Sequence, residues 1–162
     1  MPNIRVHFLS RSQEWATPWN LFRVLDRTLG PYTLDPCATA ENAKCRLFYT
    51  EKENGLMQDW SREKVFMNPP YGREIGHWIG KAFTESQRGA VVSCLVPART
   101  DTSWWHKYIM KAERVILLRG RVRFISPEGN SSPAPFPSAV AHFVPGFTGS
   151  APAFSTLDIR GF

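Results

Sequence analysis

The sequence has few cysteines and no long hydrophobic run, and each shortage excludes a class of protein. Its three cysteines, Cys37, Cys45 and Cys94, are an odd number and form no Cys-x-x-Cys pair, which indicates reduced thiols rather than a disulfide framework or a zinc site. No apolar stretch approaches the roughly 18 to 20 residues of a membrane helix. Residues 1–14 have no apolar stretch of signal-peptide length. We therefore expect a cytoplasmic protein without membrane attachment.

The sequence also lacks the usual patterns of metal binding and hydrolysis. Its four histidines are scattered without metal-ligand spacing, and its Ser, His and Asp residues show no signature of a nucleophile elbow. We therefore expect neither a metal site nor a hydrolase. At 162 residues, of which 43% are apolar and 13% aromatic, the chain has room for one globular domain with one core.

Positive charge is concentrated in one segment of the chain. The net charge is +6, and between Arg99 and Arg123 seven cations accompany two acids, interleaved with Trp104, Trp105 and Tyr108. Such a cluster suits a phosphate backbone, because each neutralised phosphate releases condensed counterions. A solvated face with aromatic side chains turned inward has the same pattern, so charge alone leaves nucleic-acid binding open.

Short apolar runs of strand length alternate with helical patterns. Helices are predicted at 17–30, where Thr17 can cap and Pro18 takes the first helical position, at 75–89 and, with a weaker pattern, at 101–111. Residues 126–137 are predicted to form a long loop, and 145–162 a tail that lies on the domain or is disordered. Strands are predicted near 32–34, 47–49, 65–67, 90–96, 115–118, 122–125 and 139–144. This alternation predicts an α/β fold with a mostly parallel, twisted sheet flanked by helices.

Asp35 and Asn68 each follow a predicted strand, and parallel sheets bind ligands at the carboxyl ends of their strands. Asn68 begins the segment Asn-Pro-Pro-Tyr-Gly, where two prolines force the chain to turn. The Asn68 side-chain oxygen and the Pro69 carbonyl can then accept both hydrogens of an amino group. Tyr71 offers a flat face to the ring that carries this group. The segment therefore suits an aromatic amine such as adenine or cytosine.

Seven blocks carry a resemblance to a known family. VFMNPPYG resembles the Asp/Asn-Pro-Pro-Tyr motif of amino-methyltransferases that use S-adenosylmethionine. Together the ordered blocks resemble the phage-type Dam family of DNA adenine methyltransferases. This implies a Rossmann-like methyltransferase domain over 15–144, with terminal extensions at 1–14 and 145–162 and no separate target-recognition domain. The blocks are WATPWNLF, LDPCATAENAKC, GLMQDW, NPPYGREIGHWI, VPARTDTSWWH, LRGRVRF and APFPSAV.

The resemblance implies methyl transfer from S-adenosylmethionine to the 6-amino group of adenine in duplex DNA. Asn68, Pro69, Pro70 and Tyr71 would form the catalytic site. The two acceptors would localise the nitrogen lone pair, which displaces the methyl group in line. The amine becomes acidic only after transfer, so its proton can leave to water and no strong base is required. Tyr71 would stack on a base flipped out of the duplex.

The same resemblance assigns a cofactor site to three blocks. The loop after the first strand, which lacks the commoner glycines, would hold the methionine end of the cofactor, and the block before the first helix would cap that end. The QDW block would place an acid near the cofactor adenine and a tryptophan for stacking. These residues are Thr17, Pro18, Asp35, Pro36, Cys37, Ala38, Asp59 and Trp60.

Simpler roles compete with several of these assignments. Asp35 and Asp59 would serve equally as turn or capping residues, and Thr17 as a helix cap. An acid just beyond the second strand, either Glu51 or Glu53, could accept hydrogen bonds from ribose hydroxyls.

Target recognition is expected from the loops at 99–111 and 119–137, since the catalytic fold leaves no room for a further domain. Arg is the usual partner of guanine in the major groove. The sequence does not separate the side chains that would read bases from those that would hold phosphates. The candidates are Arg99, Lys107, Arg119, Arg121 and Arg123.

Three other readings stay open at this point. The same chemistry could act on cytosine, on adenine in RNA or on a protein amide, because the motif suits all of these amines. A non-catalytic module on a decayed methyltransferase fold would bind DNA without binding the cofactor. The third reading is an α/β interaction protein with no catalytic role.

Overall fold

A seven-stranded sheet organises residues 15–162, the part of the chain described by this computed structural model. Across the sheet the order is β2-β1-β3-β4-β8-β5-β9. The first four of these strands are parallel, β8 is antiparallel to both of its neighbours, and β5 and β9 are parallel. Its strands are β1 (Leu34–Asp35), β2 (Leu47–Phe48), β3 (Lys64–Met67), β4 (Val91–Pro97), β5 (Arg114–Arg119), β8 (Ser138–Phe143) and β9 (Ala153–Asp158). The predicted mostly parallel α/β sheet is confirmed.

Helices cover both faces of the sheet. They are α1 (Trp19–Leu29), α2 (Ile75–Gln87) and α3 (Ser103–Lys107), with 3-10 turns at Gly55–Met57 and Ile109–Lys111. Alternation along β3 divides the core, because Val65 and Met67 pack with α2 while Phe66 packs with α1. Among the described residues, no helix has the length and apolar character needed to cross a membrane.

The first helix differs at its start from the sequence prediction. Helix α1 begins at Trp19, so Pro18 is the N-cap residue rather than the first helical residue. Thr17 makes no cap hydrogen bond, and its buried hydroxyl has no partner among residues 15–162. Gly30 ends the helix as predicted, and its N–H donates to the Asp26 carbonyl at 2.9 Å. The Thr17 hydroxyl is therefore free for another role.

Three further segments depart from prediction. The expected loop 126–137 contains β7 (Ser131–Pro133), which pairs with β6 (Arg123–Ile125) in an antiparallel hairpin outside the main sheet. The expected tail 145–162 contributes β9, which lies along β5 at the edge of the sheet. The expected helix over 101–111 is divided into α3 and a 3-10 turn. The predicted extension 1–14 lies outside the described residues, and the domain limits 15–144 stay a prediction.

Candidate active site

The Asn-Pro-Pro-Tyr segment leaves β3 at its carboxyl end and lies between two clefts. Pro70 lines the first cleft, which has a volume of about 450 Å³. Asn68, Pro69 and Tyr71 line the second, of about 440 Å³. The prolines are buried and turn the chain at the point where it leaves the sheet. One four-residue segment therefore forms part of the wall of both clefts.

The first cleft is built from the loops that follow β1 and β2. Pro36, Cys37 and Ala38, the loop that the family resemblance assigns to the cofactor, line one side of this cleft, and their cofactor role stays a prediction. Burial, helped by the negative charge of Asp35, raises the pKa of the Cys37 thiol well above its ordinary value. The thiol therefore stays protonated at neutral pH and is a poor nucleophile. The other lining residues are Tyr49, Thr50, Glu51, Asn54, Gly55, Leu56, Glu74 and Trp78.

A third space, of about 10 Å³, shares lining residues with both clefts, and we call it the extension. Three residues of its wall are shared. Cys37 lines both this space and the first cleft, whereas Trp15 and Asn68 line both this space and the second cleft. Thr17 and Asp35 line the extension itself, so the structure brings these two predicted residues together. Shared walls of this kind place the three spaces side by side along the carboxyl edge of the sheet.

Asp35 is a buried carboxyl with two backbone donors. It is 4% exposed, and its oxygens accept hydrogen bonds from the N–H groups of Lys44 at 3.0 Å and Cys37 at 3.4 Å. Burial outweighs these contacts and raises its pKa to about 6. Thr17, which lines the same space, is 2% exposed, and its hydroxyl is unpaired among the described residues. A carboxylate and an unsatisfied hydroxyl therefore line the same small space.

The second cleft is lined by aromatic and proline side chains. The Tyr71 ring meets Phe124 and Phe136 edge to face, with centroids 5.9 and 5.6 Å away. The Tyr71 hydroxyl donates to the Leu95 carbonyl at 3.0 Å, which fixes the ring against β4. At the rim, the Arg99 guanidinium lies 5.7 Å from the Phe136 centroid. Planar apolar walls of this kind suit a planar ligand.

Asn68 has a defined amide orientation. Its Nδ2 donates to the Trp15 carbonyl at 3.3 Å. A carbonyl can only accept, so the amide nitrogen must face Trp15. No donor among residues 15–162 hydrogen-bonds the Asn68 Oδ1. This oxygen is therefore available to accept a hydrogen bond from a ligand.

Three expected cofactor residues, Pro18, Asp59 and Trp60, line neither cleft nor the extension, and Pro18 instead lines a groove with Arg121 and Arg123. Asp59 is exposed, accepts a hydrogen bond from the Ser61 N–H at 2.9 Å and lies 3.7 Å from the Arg88 guanidinium. Trp60 is fully buried, stacks on Trp78 at 6.4 Å and so has no free face for a ligand. It donates from Nε1 to the carbonyl of Gly55, a lining residue of the first cleft. Trp60 therefore supports the cleft wall instead of stacking on a cofactor.

The two acids after β2 are separated by the structure. Glu51 lines the first cleft and is exposed. The Glu53 carboxylate accepts hydrogen bonds from the backbone N–H and the hydroxyl of Thr50, which lower its pKa. Glu53 is thus engaged in holding its own turn, and Glu51 is the acid placed at the cleft.

The predicted cationic residues fall into separate groups. Arg121 and Arg123 line a groove of about 540 Å³ on the far side of the β6–β7 hairpin, together with Arg160 and Pro18. We call this the basic groove. Arg119 lies 3.9 Å from Asp158, which partly neutralises it. Lys107 does not line any of these spaces, and its ammonium lies 5.2 Å from the Tyr108 ring beside α2.

Sequence reasoning missed several residues of the clefts. Phe124 and Phe136 are distant from Tyr71 in sequence, and only their proximity in the fold reveals them. The block APFPSAV, which contains Phe136, was the available signal. Glu74, next to the Asn-Pro-Pro-Tyr segment, lines the first cleft and had no assigned role. Within the described residues, no group of His, Cys, Asp and Glu side chains could hold a metal ion.

Comparison with known proteins assigns the family. The family model described as DNA N-6-adenine-methyltransferase (Dam) matches residues 8–158. The chain belongs to the Dam family. A Dam relative from Escherichia phage T1, named DNA N-6-adenine-methyltransferase, is 30% identical over 130 residues. YfdM of Escherichia coli (strain K12), which carries a methyltransferase name, is 39% identical over 64 residues.

The two relatives match this Dam family member over different shares of their length. The phage T1 alignment covers 70% of this chain and 54% of the phage protein, so the chain spans about half of that relative. The YfdM alignment covers 36% of this chain and 70% of that protein. The family match includes β9, which ends at Asp158.

Proposed function

We propose that this chain transfers a methyl group from S-adenosylmethionine to the 6-amino group of adenine in duplex DNA. The observation that carries the proposal is the Asn-Pro-Pro-Tyr segment, which lines one cleft suited to a charged cofactor and another suited to a planar base. Each of the two substrates then has its own cleft, with the reacting atoms meeting at the segment between them. Membership in the Dam family supports the same assignment.

The residues of the first cleft and its extension fit S-adenosylmethionine. The cofactor carries a sulfonium and an ammonium, and supplies an electrophilic methyl group when bound. Asp35 and the unpaired Thr17 hydroxyl would hold its methionine end, where a carboxylate and a hydroxyl suit an ammonium group. Glu51 would accept hydrogen bonds from the ribose hydroxyls. The acidic character of the cleft, to which Glu74 adds, favours a cationic ligand.

The second cleft would hold the target adenine. Tyr71, Phe124 and Phe136 supply aromatic walls, and such a cleft can admit the base only after it leaves the duplex stack. The Asn68 Oδ1 and the Pro69 carbonyl would accept the two amino hydrogens. These contacts localise the nitrogen lone pair and aim it at the methyl carbon. S-adenosylmethionine, when bound, would supply the methyl group, its C–S bond breaking as the N–C bond forms, and the extra proton of the amine would leave to water.

The basic groove would hold phosphates of the same DNA. Arg121 and Arg123 are exposed, and no acid among the described residues pairs with them. Arg99 lies at the rim of the second cleft, where it could contact a nucleotide next to the target. Arg119, whose charge is shared with Asp158, and Lys107, beside α2, are weaker candidates for phosphate contacts.

One incubation tests the proposal. Purified protein, S-adenosylmethionine and unmethylated duplex DNA are combined, and the DNA is digested to nucleosides for mass spectrometry. We expect N6-methyladenine, and a reaction without S-adenosylmethionine is the control. Methylated cytosine would move the assignment to another base. Cofactor binding without any methylated DNA would refute the substrate and direct the same assay to RNA and protein amides.

A further inference from the structure

The segment Trp15–Thr17 touches the catalytic motif, the extension of the first cleft and the β6–β7 hairpin. The Trp15 carbonyl accepts the hydrogen bond from Asn68 Nδ2. The Thr17 side chain lines the extension, and Trp15 lines the second cleft as well. We call this segment the strap. None of the roles proposed above explains why it contacts all three places.

The strap is held to the hairpin by two backbone hydrogen bonds. The Ala16 N–H donates to the Ile125 carbonyl at 2.8 Å, and the Ile125 N–H donates to the Ala16 carbonyl at 2.9 Å. This antiparallel bridge ties the strap to the last residue of β6. The position of the Trp15 carbonyl therefore depends on the position of the hairpin.

The hairpin in turn presents different residues to the proposed DNA contacts. Phe124 lines the second cleft, while its neighbours Arg123 and Ile125 line the basic groove. This follows from the alternation of side chains along a strand. DNA bound as proposed would contact both faces of the hairpin and fix it between the target base and the phosphates.

We infer that the strap is a positioning element, through which the hairpin sets the amide orientation of Asn68. With Nδ2 engaged by Trp15, only Oδ1 can point to the methyl acceptor. The inference rests on the proposed function and adds a residue requirement. The side chain at position 68 must donate as well as accept, so Asn suits this protein and Asp does not. A carboxylate there would place an oxygen against the Trp15 carbonyl, where two acceptors repel each other.

The test begins with Asn68→Asp, which retains the acceptor and removes the donor. The readout is the single-turnover rate of N6-methyladenine formation on duplex DNA at saturating S-adenosylmethionine, with cofactor Kd measured separately. We expect the rate to fall about 10- to 100-fold, as for a misplaced reacting group, without weaker cofactor binding. If the only role of Asn68 is to accept, the Asp variant will match or exceed the unaltered rate, and that result overturns the inference.

A double-mutant cycle shows whether the strap acts through Asn68. Ala16→Pro removes the N–H that donates to Ile125, and Ala16→Ser, which keeps both backbone hydrogen bonds, is its matched control. We expect Ala16→Pro to slow the reaction more than Ala16→Ser, which changes the side chain but keeps the bridge to Ile125. Because both substitutions disturb the same hydrogen bond between Trp15 and Asn68, the methylation rate of the double variant Ala16→Pro, Asn68→Asp should be no lower than that of the slower single variant. Losses that multiply would show independent, merely structural effects and overturn the inference.

Two controls keep the outcomes distinct. Thermal melting establishes that each variant is folded, and Ile125→Pro, which removes the other bridging N–H, replaces Ala16→Pro in the cycle if that variant does not fold. The unaltered protein is assayed first. If the unaltered protein forms no N6-methyladenine, that result refutes the proposed function and is distinct from a failure of the positioning role of the strap.

Discussion

Replacing Asp35 by Asn should make the protein more stable at pH 7 in the absence of cofactor. Burial raises the pKa of this carboxyl from 3.8 to about 6. In the unfolded chain the same group ionises near its ordinary pKa, so the folded state binds more protons between these two values. Stability is therefore lost as the pH rises from about 4 to about 6, and the full loss is present at pH 7.

The expected gain can be worked out from the contacts of Asp35. The difference between its folded and unfolded pKa values costs about 3 kcal/mol at pH 7. An Asn side chain avoids this cost but has one oxygen for two backbone donors, the N–H groups of Lys44 at 3.0 Å and Cys37 at 3.4 Å. One lost hydrogen bond costs about 1 kcal/mol. The net gain at pH 7 is about 2 kcal/mol.

Urea denaturation of Asp35→Asn and the unaltered protein, followed by tryptophan fluorescence at pH 4.5 and pH 7, measures this effect. At pH 4.5 Asp35 is mostly protonated in the folded protein, so most of the cost of ionising it there is absent. The free energies of unfolding of the two proteins should then differ by less than about 1 kcal/mol. A variant equally or less stable at pH 7, or a difference independent of pH, would refute the reasoning. The variant should also bind S-adenosylmethionine at least about tenfold more weakly, because a charge-assisted contact is lost.

Three further predictions concern the clefts and the basic groove. Tyr71→Phe removes only a hydroxyl and should keep the single-turnover methylation rate within about threefold, whereas Tyr71→Ala removes the stacking face and should lower it more than about tenfold. Replacing Arg121 and Arg123 by Ala should reduce the slope of log Kd for DNA against log salt, measured by fluorescence anisotropy, by about 1.8. Glu51→Gln should weaken S-adenosylmethionine binding, measured by calorimetry, by about tenfold, and Glu53→Gln should not.

Each of these predictions has an outcome that contradicts it. Full activity in Tyr71→Ala would show that the aromatic wall does not contact the base. Arg119→Ala is the matched control for the groove, since Asp158 already shares its charge. If Arg119→Ala changed the salt dependence of the DNA Kd more than the double variant does, the DNA phosphates would not lie in the basic groove. Equal losses of cofactor affinity on changing Glu51 and Glu53 would remove Glu51 from the proposed ribose contact.

The central strands were predictable because burial on both faces leaves a plain apolar signal. The run Ala90–Val96 and the spacing of Ile75, Trp78 and Ile79 predicted β4 and α2 with shifts of about one or two residues. The Asn-Pro-Pro-Tyr segment was predictable as well, because proline restricts the backbone locally. These features depend on neighbours in sequence, which the sequence displays directly.

The edge strands were not predictable on the same grounds. β9 is almost entirely exposed, so its residues have no apolar alternation, and it is a strand because of its pairing with β5. β7 lies in a segment rich in proline and is a strand because it pairs with β6. The partner of β9 is distant in sequence, and the partner of β7 lies across a turn, so neither pairing has a local signal.

The candidate site was predictable in part for the same reason. Asp35 ends β1 and Asn68 follows β3, and these two strands pair in parallel, so the proximity of the two residues follows from the topology. Trp60 was assigned to stacking through the family resemblance of the QDW block, but its ring is buried in the core. No local pattern separates a buried tryptophan from a ligand-facing one. Phe124 and Phe136 join Tyr71 only through the fold.

The β6–β7 hairpin forms its own two-stranded sheet and shares no ladder with the seven-stranded one. Residues can therefore be exchanged or inserted at its tip, around the exposed Gly129, without disturbing the pairing of any central strand. Changes confined to this tip leave Phe124 in the wall of the second cleft and Ile125 in its bridge to Ala16. The hairpin thus has a tip that tolerates variation and a base that is tied to the candidate active site.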